Sequence, residues 1–310
     1  MNVLLTGYAG LLGRHLARAL KRNGDSVKVV LHQRTVTRED FTNEADEVLW
    51  GSLEDHRILK RALANIDVVV HSAWRFSNQQ AARPTSNESV TEMLFRESVR
   101  CGVRRFAFIS SVAVYGMKSD APQVEESVKL DPRGDGYIYP AEKVAVEQLL
   151  AGFDRGSMAY GVFRPGPIFD DFKSPIKKVL GSRAIGFGTG RNPMPYIHAA
   201  DVADGVVRWL VNGPDGGIYN LTPAKCLPHR EWFVLWARKK GKELSPFFIR
   251  SWMMRLAAFG GTMAKRMLGK SGKVDVSYAL AAASRSMLYS NGRAQRELGW
   301  KPLHTDSYCE

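Results

Sequence analysis

Thr6-Gly7-Tyr8-Ala9-Gly10-Leu11-Leu12-Gly13, here called the glycine turn, follows the apolar run Val3-Leu4-Leu5. The run predicts a short buried strand, and the apolar spacing after the turn predicts a helix. Glycines between a strand and a helix let the backbone approach a pyrophosphate, which the helix N-terminus then binds. The stretch therefore predicts a dinucleotide site. We expect its cofactor contacts to come from Gly7, Tyr8, Ala9, Gly10, Leu11, Leu12 and Gly13.

The alternation of apolar strands and helical segments continues beyond this turn. Apolar runs recur over 27–31, 66–70 and 106–109, and segments of helical spacing precede the last two, over 58–64 and 90–101. Strands that are apolar throughout and separated by helices predict parallel pairing with helices on both faces. We therefore predict an α/β fold with a doubly wound, Rossmann-like parallel sheet, whose ligands bind at the carboxyl edge of the strands.

The pattern becomes irregular past Gly156, with loops rich in proline and glycine up to Pro195. We expect residues 1–165, with 196–215 returning to them, to form the nucleotide-binding domain. Residues 166–195 and 216–310 are expected to form a smaller, C-terminal substrate-binding lobe.

The composition narrows the class of protein and its surroundings. Of the 310 residues, 45% are hydrophobic, as in globular proteins. The net charge of +13 favours an anionic ligand or surface, although solvated lysines and arginines explain it equally well. The three cysteines form no metal-binding or disulfide pattern, and the first residues do not resemble a signal peptide. We expect a cytoplasmic protein with no metal and no nucleic-acid partner.

Tyr139 and Lys143 stand four residues apart, so on a helix they share one face. A free tyrosine, with a pKa of about 10, is a poor acid–base catalyst at neutral pH. A nearby ammonium would lower that pKa by favouring the phenolate. Upstream, a predicted strand ends in two hydroxyls, Ser110 and Ser111, at the functional edge of the sheet. We predict Tyr139 as the acid–base residue; the competing phenol, Tyr137, lacks a lysine four residues on.

Taken in order, the glycine turn, Ser111-x-x-x-Tyr115-Gly116 and Tyr139-x-x-x-Lys143 resemble the short-chain dehydrogenases/reductases. The segment Tyr196-Ile197-His198 resembles their extended subgroup, the NAD-dependent epimerase/dehydratase family. This resemblance covers most of the chain. It implies that Tyr139 transfers a proton, Lys143 adjusts its acidity and Ser111 holds the reacting oxygen. It also implies further cofactor contacts from Ser52, Leu53, Ser72, Ala73, Trp74, Asn87, Ile109, Ser110, Tyr139, Lys143, Pro165, Gly166 and Ile168.

The residues after the second predicted strand bear on the choice between NAD and NADP. Leu31-His32-Gln33-Arg34 offers no carboxylate to the ribose hydroxyls of NAD, whereas His32 and Arg34 could neighbour a 2′-phosphate. We therefore predict NADP, with NAD as the alternative if both side chains lie unused at the surface. The family more often has Asp where Ser52 stands. Asn87 resembles an asparagine that steadies the lysine, but equally fits a simple N-cap or a polar helix residue.

Two stretches of the chain bear on the substrate. Relatives that act on nucleotide sugars usually carry an asparagine and an Arg-Asp pair where this chain has Gly166-Pro167 and Met194-Pro195. Residues 246–273 are rich in methionine and aromatic side chains, and all their charges are basic. This tail fits a pocket for a lipophilic substrate, a peripheral membrane contact, or ordinary core.

We expect hydride transfer between NADP(H) and a lipophilic secondary alcohol or ketone, as in hydroxysteroid dehydrogenases and dihydroflavonol reductases. A nucleotide-sugar epimerase, dehydratase or reductase with tightly bound NAD is the alternative within the family. A non-catalytic, NAD(P)-sensing regulator is the alternative outside the enzymes, and the Tyr139–Lys143 pair argues against it. The expected partner is a small-molecule substrate. A homodimer and a membrane-associated location are left open.

Overall fold

A computed structural model of the protein describes residues 1–32, 44–76, 86–116, 123–131, 138–172, 178–180, 183–239, 241–267, 276, 280 and 286–309. The strands are β1 (Asn2–Thr6), β2 (Ser26–Leu31), β3 (Glu47–Trp50), β4 (Val68–His71), β5 (Arg105–Ile109), β6 (Ala159–Pro165), β7 (Ile168–Phe169), β8 (Lys178–Leu180), β9 (Arg183–Phe187), β10 (Pro193–Met194), β11 (Ile197–His198), β12 (Gly217–Leu221), β13 (Leu227–Pro228) and β14 (Ser245–Ile249). The helices are α1 (Leu11–Arg22), α2 (His56–Leu63), α3 (Asn87–Arg100), α4 (Tyr139–Gly152), α5 (Ala199–Asn212), α6 (His229–Lys239), α7 (Ser251–Met267), α8 (Gly292–Leu298) and α9 (Leu303–Cys309), with a 3₁₀ helix over Val112–Tyr115.

The central sheet has seven strands in the order β3-β2-β1-β4-β5-β6-β12, and every neighbouring pair is parallel. The order runs outward from β1 in both directions, as in a doubly wound sheet. The predicted Rossmann-like α/β fold is therefore confirmed. All seven strands end at one edge, where the glycine turn and the loops after β4, β5 and β6 meet.

Helices cover both faces of the sheet. The pleat sends successive side chains of each strand to opposite faces, so both sets are buried. On β1, Val3 and Leu5 belong to the core formed with α1, α5 and α8, whereas Leu4 belongs to the core formed with α2, α3 and α4. This explains why the strands are apolar throughout instead of alternating with polar residues.

The predicted domain boundary needs one correction. Residues 217–221 were expected in the substrate-binding lobe, but they form β12, which pairs with β6 at the edge of the main sheet. The reason is burial: Tyr219 and Leu221 pack into the same core as Val206 and Trp209 of α5. The remaining division into a nucleotide-binding domain and a lobe stays a prediction.

The rest of the chain adds a smaller sheet, β14-β9-β8, and helices α6 and α7. Trp232, Phe233 and Trp236 of α6 pack with Phe169 and Tyr308 in a separate aromatic cluster. Within the described residues, no helix is long and apolar enough to cross a membrane.

Trp209 provides a test of how α5 is attached to the sheet. Its ring is fully buried against Gly161 of β6, and its indole nitrogen donates to the Pro214 carbonyl at 2.9 Å. We expect Trp209→Ala to lower the free energy of unfolding by about 3–5 kcal/mol, as measured by urea denaturation. The matched control is Trp252→Ala on α7, where the ring is 59% exposed and the change should be within about 0.5 kcal/mol. Equal losses in the two variants would contradict this account of the core.

Candidate active site

The glycine turn packs so closely that side chains do not fit at two of its positions. A Cβ at Gly7 would lie 2.6 Å from the backbone nitrogen of Ala73, and one at Gly13 would lie 2.2 Å from the Gly7 carbonyl oxygen. Gly7 also has a φ of +79°, in the left-handed region that favours glycine. The N-terminus of α1 therefore lies directly against the end of β1 and the loop after β4.

This helix N-terminus has the features of an anion site. Gly10 is the N-cap of α1, no side chain among the described residues caps it, and the first turn contains no acidic residue. Ala9 and Gly10 are exposed, whereas Tyr8 and Leu12 are buried beneath them, with the Tyr8 hydroxyl donating to Glu44 at 2.7 Å. Backbone N–H groups and the helix dipole favour phosphate at such a position. The turn therefore fits the pyrophosphate of a dinucleotide.

His71, at the end of β4, belongs to a buried chain of hydrogen bonds. The Ala73 N–H donates to Thr6 Oγ1 at 3.2 Å, and that hydroxyl lies 2.8 Å from His71 Nδ1. His71 Nε2 lies 3.0 Å from Thr91 Oγ1, which donates to the Asn87 carbonyl at 2.8 Å. Since the Thr91 hydroxyl has a single proton, His71 Nε2 must be the donor and Nδ1 the acceptor. Burial lowers the pKa of His71 to about 3, so the ring is neutral and its role is structural.

Asn87 joins the loop after β4 to helix α4. Ser86 is the N-cap of α3 and Asn87 is its first residue, so Asn87 is a polar residue of the helix and not its cap. The Asn87 side chain instead exchanges two hydrogen bonds with the backbone of Arg75, both at 3.0 Å, and donates to Glu142 at 3.2 Å. These bonds hold Asn87 against Glu142, the residue that precedes Lys143 on α4. A contact between Asn87 and a cofactor stays a prediction.

Of the residues expected near the adenosine half of the cofactor, the structure describes all but Arg34. His32 directly follows β2 and is exposed, and Arg34 lies outside the described residues. Ser52 Oγ accepts from the backbone N–H of Glu54 at 3.2 Å, while Leu53 packs on the core beneath. Ser52 therefore closes a local turn where the family more often has an aspartate.

Tyr139 is the first residue of α4, and Pro140 falls in its first turn, as predicted. One turn on, Lys143 is buried and its Nζ donates to the carbonyl oxygen of Ile109, the last residue of β5, at 2.7 Å. The same Nζ lies 5.8 Å from the centre of the Tyr139 ring. Burial lowers the pKa of Lys143 well below its usual range, while two nearby carboxylates on α4 favour the ammonium. The structure thus brings Tyr139 and Lys143 together at the carboxyl edge of the sheet.

The two neighbouring serines have different surroundings. Ser110 is buried and its hydroxyl donates to Glu147. Ser111 is half-buried, and its Oγ accepts from the Ala113 N–H at 3.2 Å, which caps the 3₁₀ helix. A hydroxyl that accepts one bond still has its own proton to donate. This difference favours Ser111 over Ser110 as a donor to a reacting oxygen.

A buried ion pair, absent from the predicted site residues, lies behind these groups. Arg164 donates to both carboxylate oxygens of Glu147, with Nη2 at 2.5 Å from Oε2, and to the Tyr115 hydroxyl at 2.6 Å. Burial opposes the charge on Arg164, but the hydrogen bonds to Glu147 outweigh it and raise the pKa of the guanidinium. For the neighbouring Tyr115 phenol, burial itself raises the pKa, to about 12. In the sequence, this pair is indicated only by the position of Glu147, which stands four residues after Lys143 and so shares its helical face.

Two aromatic side chains from the loop after β4 lie beside Tyr139. The Trp74 ring meets Tyr139 edge-on at 6.1 Å between centroids and lies 3.4 Å from Lys143 Nζ. The Phe76 ring stacks on Tyr139 at 5.3 Å and is 73% exposed. Phe76 was not predicted as a site residue, because nothing in its spacing links it to Tyr139. The surface next to the Tyr139 ring is therefore apolar.

The predicted contacts after β6 lie at the same edge of the sheet. Pro165 pairs with Leu221 at the end of the strand, and Ile168 pairs with Ile197 between β7 and β11. A Cβ at Gly166 would lie 1.8 Å from the Pro195 carbonyl oxygen, so glycine is required there.

The chain is similar in sequence to one known family of enzymes. The model of the NAD dependent epimerase/dehydratase family matches residues 3–222. The 4-hydroxy-2-methyl-3-oxo-4-farnesyl-3,4-dihydroquinoline-1-oxide ketoreductase of Stigmatella aurantiaca is 27% identical over 308 residues, covering 97% of this chain and 92% of that protein. A decarboxylating sterol-4-alpha-carboxylate 3-dehydrogenase of Dictyostelium discoideum is 25% identical over 252 residues, covering 77% of this chain and 76% of that protein.

Among solved structures, the UDP-glucose 4-epimerase of Thermotoga maritima has a TM-score of 0.76 at 21% identity, covering 97% of this chain and 94% of the other. At that identity the likeness shows the fold. The family match extends over most of the chain and includes the glycine turn, both serines and the Tyr139–Lys143 pair. The chain therefore belongs to the NAD-dependent epimerase/dehydratase family, the extended short-chain dehydrogenases/reductases, and is an NAD(P)-dependent enzyme.

Proposed function

We propose that this enzyme transfers hydride between NADP(H) and the reacting carbon of a lipophilic ketone or secondary alcohol. The observation that supports this most is the environment of Tyr139. The Nζ of Lys143 lies 5.8 Å from the centre of its ring, and the exposed apolar ring of Phe76 stacks on it at 5.3 Å. A proton-transferring phenol beside an apolar surface fits an apolar carbonyl substrate.

The glycine turn and the loops around it would hold the cofactor. The N-terminus of α1 takes the pyrophosphate, Lys143 the ribose nearest the nicotinamide, and the backbone around Gly166 the nicotinamide side. When bound, the nicotinamide supplies or accepts the hydride. We favour NADP because the segment after β2 offers His32 and Arg34 and no carboxylate.

The side chains of the chain itself handle the proton. In the direction of reduction, Tyr139 gives its hydroxyl proton to the carbonyl oxygen, and Ser111 donates a hydrogen bond to the same oxygen. The Lys143 ammonium favours the phenolate that Tyr139 becomes. In the direction of oxidation, the same phenolate removes the proton of the alcohol.

The two relatives support a lipophilic substrate. One reduces a ketone that carries a farnesyl group, and the other is a dehydrogenase of a sterol. Here Met194 lies in β10, at the position where enzymes of nucleotide sugars usually have part of an Arg-Asp pair. A nucleotide-sugar epimerase is the alternative that the substrate experiment below would reveal.

Tyr139→Phe tests the proton-transfer role. Since it removes the phenolic oxygen and keeps the ring, we expect single-turnover hydride transfer to fall by about 10²–10⁴-fold with little change in cofactor affinity. Lys143→Met should weaken both transfer and cofactor binding. Tyr137→Phe is the control of equal chemistry and should leave transfer near normal. Near-normal transfer in folded, cofactor-loaded Tyr139→Phe would refute the role.

The two serines give a second, internally controlled comparison. Ser111→Ala should lower turnover, though less than Tyr139→Phe, because it removes one hydrogen bond and no proton donor. Ser110→Ala should leave Glu147 with one fewer buried donor and lower stability by about 1–3 kcal/mol. Thermal unfolding and turnover, measured on both variants, separate the roles. A larger turnover loss in Ser110→Ala would reverse the assignment.

Cofactor choice is tested by direct titration. We expect NADPH to bind more tightly than NADH, and Arg34→Ala to reduce the preference. Arg100→Ala is the control, because Arg100 ends α3 at the opposite edge of the sheet and pairs with Glu97. Equal or tighter binding of NADH to the unmodified enzyme would refute the choice of NADP.

Substrate class is tested by thermal shift with sterol-like ketones and with nucleoside diphosphate sugars. A ligand at a hundredfold its Kd adds about 2.7 kcal/mol of stability, so the apolar ketones should raise the melting temperature by several degrees. Phe76→Ala should raise KM for such a ketone by about 2–10-fold, since it removes part of the apolar surface that the proposal places against the ketone. Phe172→Ala, also exposed, is the control. Stabilisation by a diphosphate sugar alone would favour the epimerase alternative.

A further inference from the structure

Helix α7 exposes every one of its large apolar side chains except Met254. Five large residues form what is called here the apolar stripe. Ala258 and Gly261 are half-buried, and Met254 is buried in a small cluster with Phe187 and Ile249. This is the reverse of a helix that packs its large residues into a core. The ordinary-core interpretation is therefore wrong for the exposed residues of α7, whereas Met254 and Ile249 do pack in a cluster. The stripe consists of Trp252 (59% exposed), Leu256 (61%), Phe259 (69%), Met263 (42%) and Met267 (87%).

The stripe is continuous along one side of the helix. Its members are spaced by four, three, four and four residues, the spacing that aligns side chains on one helical face. Seventeen residues of helix extend about 25 Å. Phe247, on the strand that leads into α7, adds a further exposed aromatic ring. An apolar surface of this length differs from scattered exposed residues, which need no explanation.

The charged residues of the segment that carries the stripe are all basic. No Asp or Glu occurs from 244 to 267, whereas Arg250 precedes the helix. On a helical projection, Arg255 and Arg266 border the stripe along one side. In a symmetric antiparallel pair of α7 helices these arginines would lie on the same side of the interface, which disfavours such a dimer through this face. An anionic surface is the complement that the charges select.

We propose that α7 is an interfacial helix that binds an anionic phospholipid bilayer. The apolar stripe enters the acyl boundary, and Arg250, Arg255 and Arg266 contact lipid phosphates. The anchor at Met254 holds the first turn of the helix to the protein while the stripe stays exposed. This inference stands independently of the proposed hydride transfer, although a lipophilic substrate would be concentrated in the same bilayer.

Vesicle co-sedimentation of the full chain tests the proposal. We expect binding to vesicles of phosphatidylcholine with phosphatidylglycerol, and weaker binding to phosphatidylcholine alone. The double variant Leu256→Glu/Phe259→Glu should bind at least about tenfold more weakly, because two apolar side chains are lost from the buried face. Leu303→Glu, a similarly exposed leucine on α9, is the matched control and should bind like the unmodified chain.

The charge contribution is tested separately. Arg255→Gln and Arg266→Gln should each weaken binding to the anionic vesicles about fivefold, the equivalent of about 1 kcal/mol per arginine near such a surface. The loss should shrink at high salt. Brominated acyl chains should quench tryptophan emission in the unmodified chain and much less in Trp252→Phe.

Melting temperature and NADPH binding establish that each variant is folded, and turnover of a water-soluble ketone should be unchanged in the α7 variants. The proposal is overturned if the unmodified chain does not bind anionic vesicles, or if the double glutamate variant binds them equally well. It is also overturned if that variant merely converts a dimer into a monomer, since a second copy would then be the occupant of the stripe. Failure of turnover alone bears on the proposed function and not on α7.

Discussion

Glu147 accepts hydrogen bonds from Arg164 of β6 and from Ser110 at the end of β5, and all three side chains are buried. A carboxylate and a guanidinium each cost several kcal/mol to remove from water, so either one without the other would be strongly destabilising. Tyr139 and Lys143 lie eight and four residues before Glu147 on the same face of α4. The ion pair therefore fixes where α4 places the proposed acid–base pair relative to the sheet edge.

Two kinds of surface meet at that edge. On the cofactor side, Gly7 and Gly13 allow backbone to pack on backbone, and the neutral ring of His71 holds the loop after β4 against β1. The same loop also presents Trp74 and Phe76 to Tyr139, where the substrate is proposed to bind. One loop therefore contributes both to the packing of the glycine turn and to the apolar surface beside Tyr139.

The parallel sheet and the pairing of Tyr139 with Lys143 on one helical face could be predicted, because both follow from local patterns. The spacing of apolar residues is set by burial on both faces of each strand, and i, i+4 neighbours share a face in any helix. The contacts of Glu147 with Arg164 and Ser110 could not be predicted, since they join residues 17 and 37 positions apart. Stacking of Phe76 on Tyr139 likewise depends on where a loop folds back.

The sequence by itself determined the fold class, the glycine turn and the helix that carries Tyr139 and Lys143, because each rests on interactions within a few residues. The tertiary structure decided that the Ser110 hydroxyl donates its proton to Glu147, whereas the Ser111 hydroxyl keeps a proton to donate. It also decided that β12 completes the main sheet and that α7 exposes its apolar stripe. These outcomes depend on which surfaces meet when distant segments pack, and an apolar residue spacing is the same whether its face is covered by protein or left open.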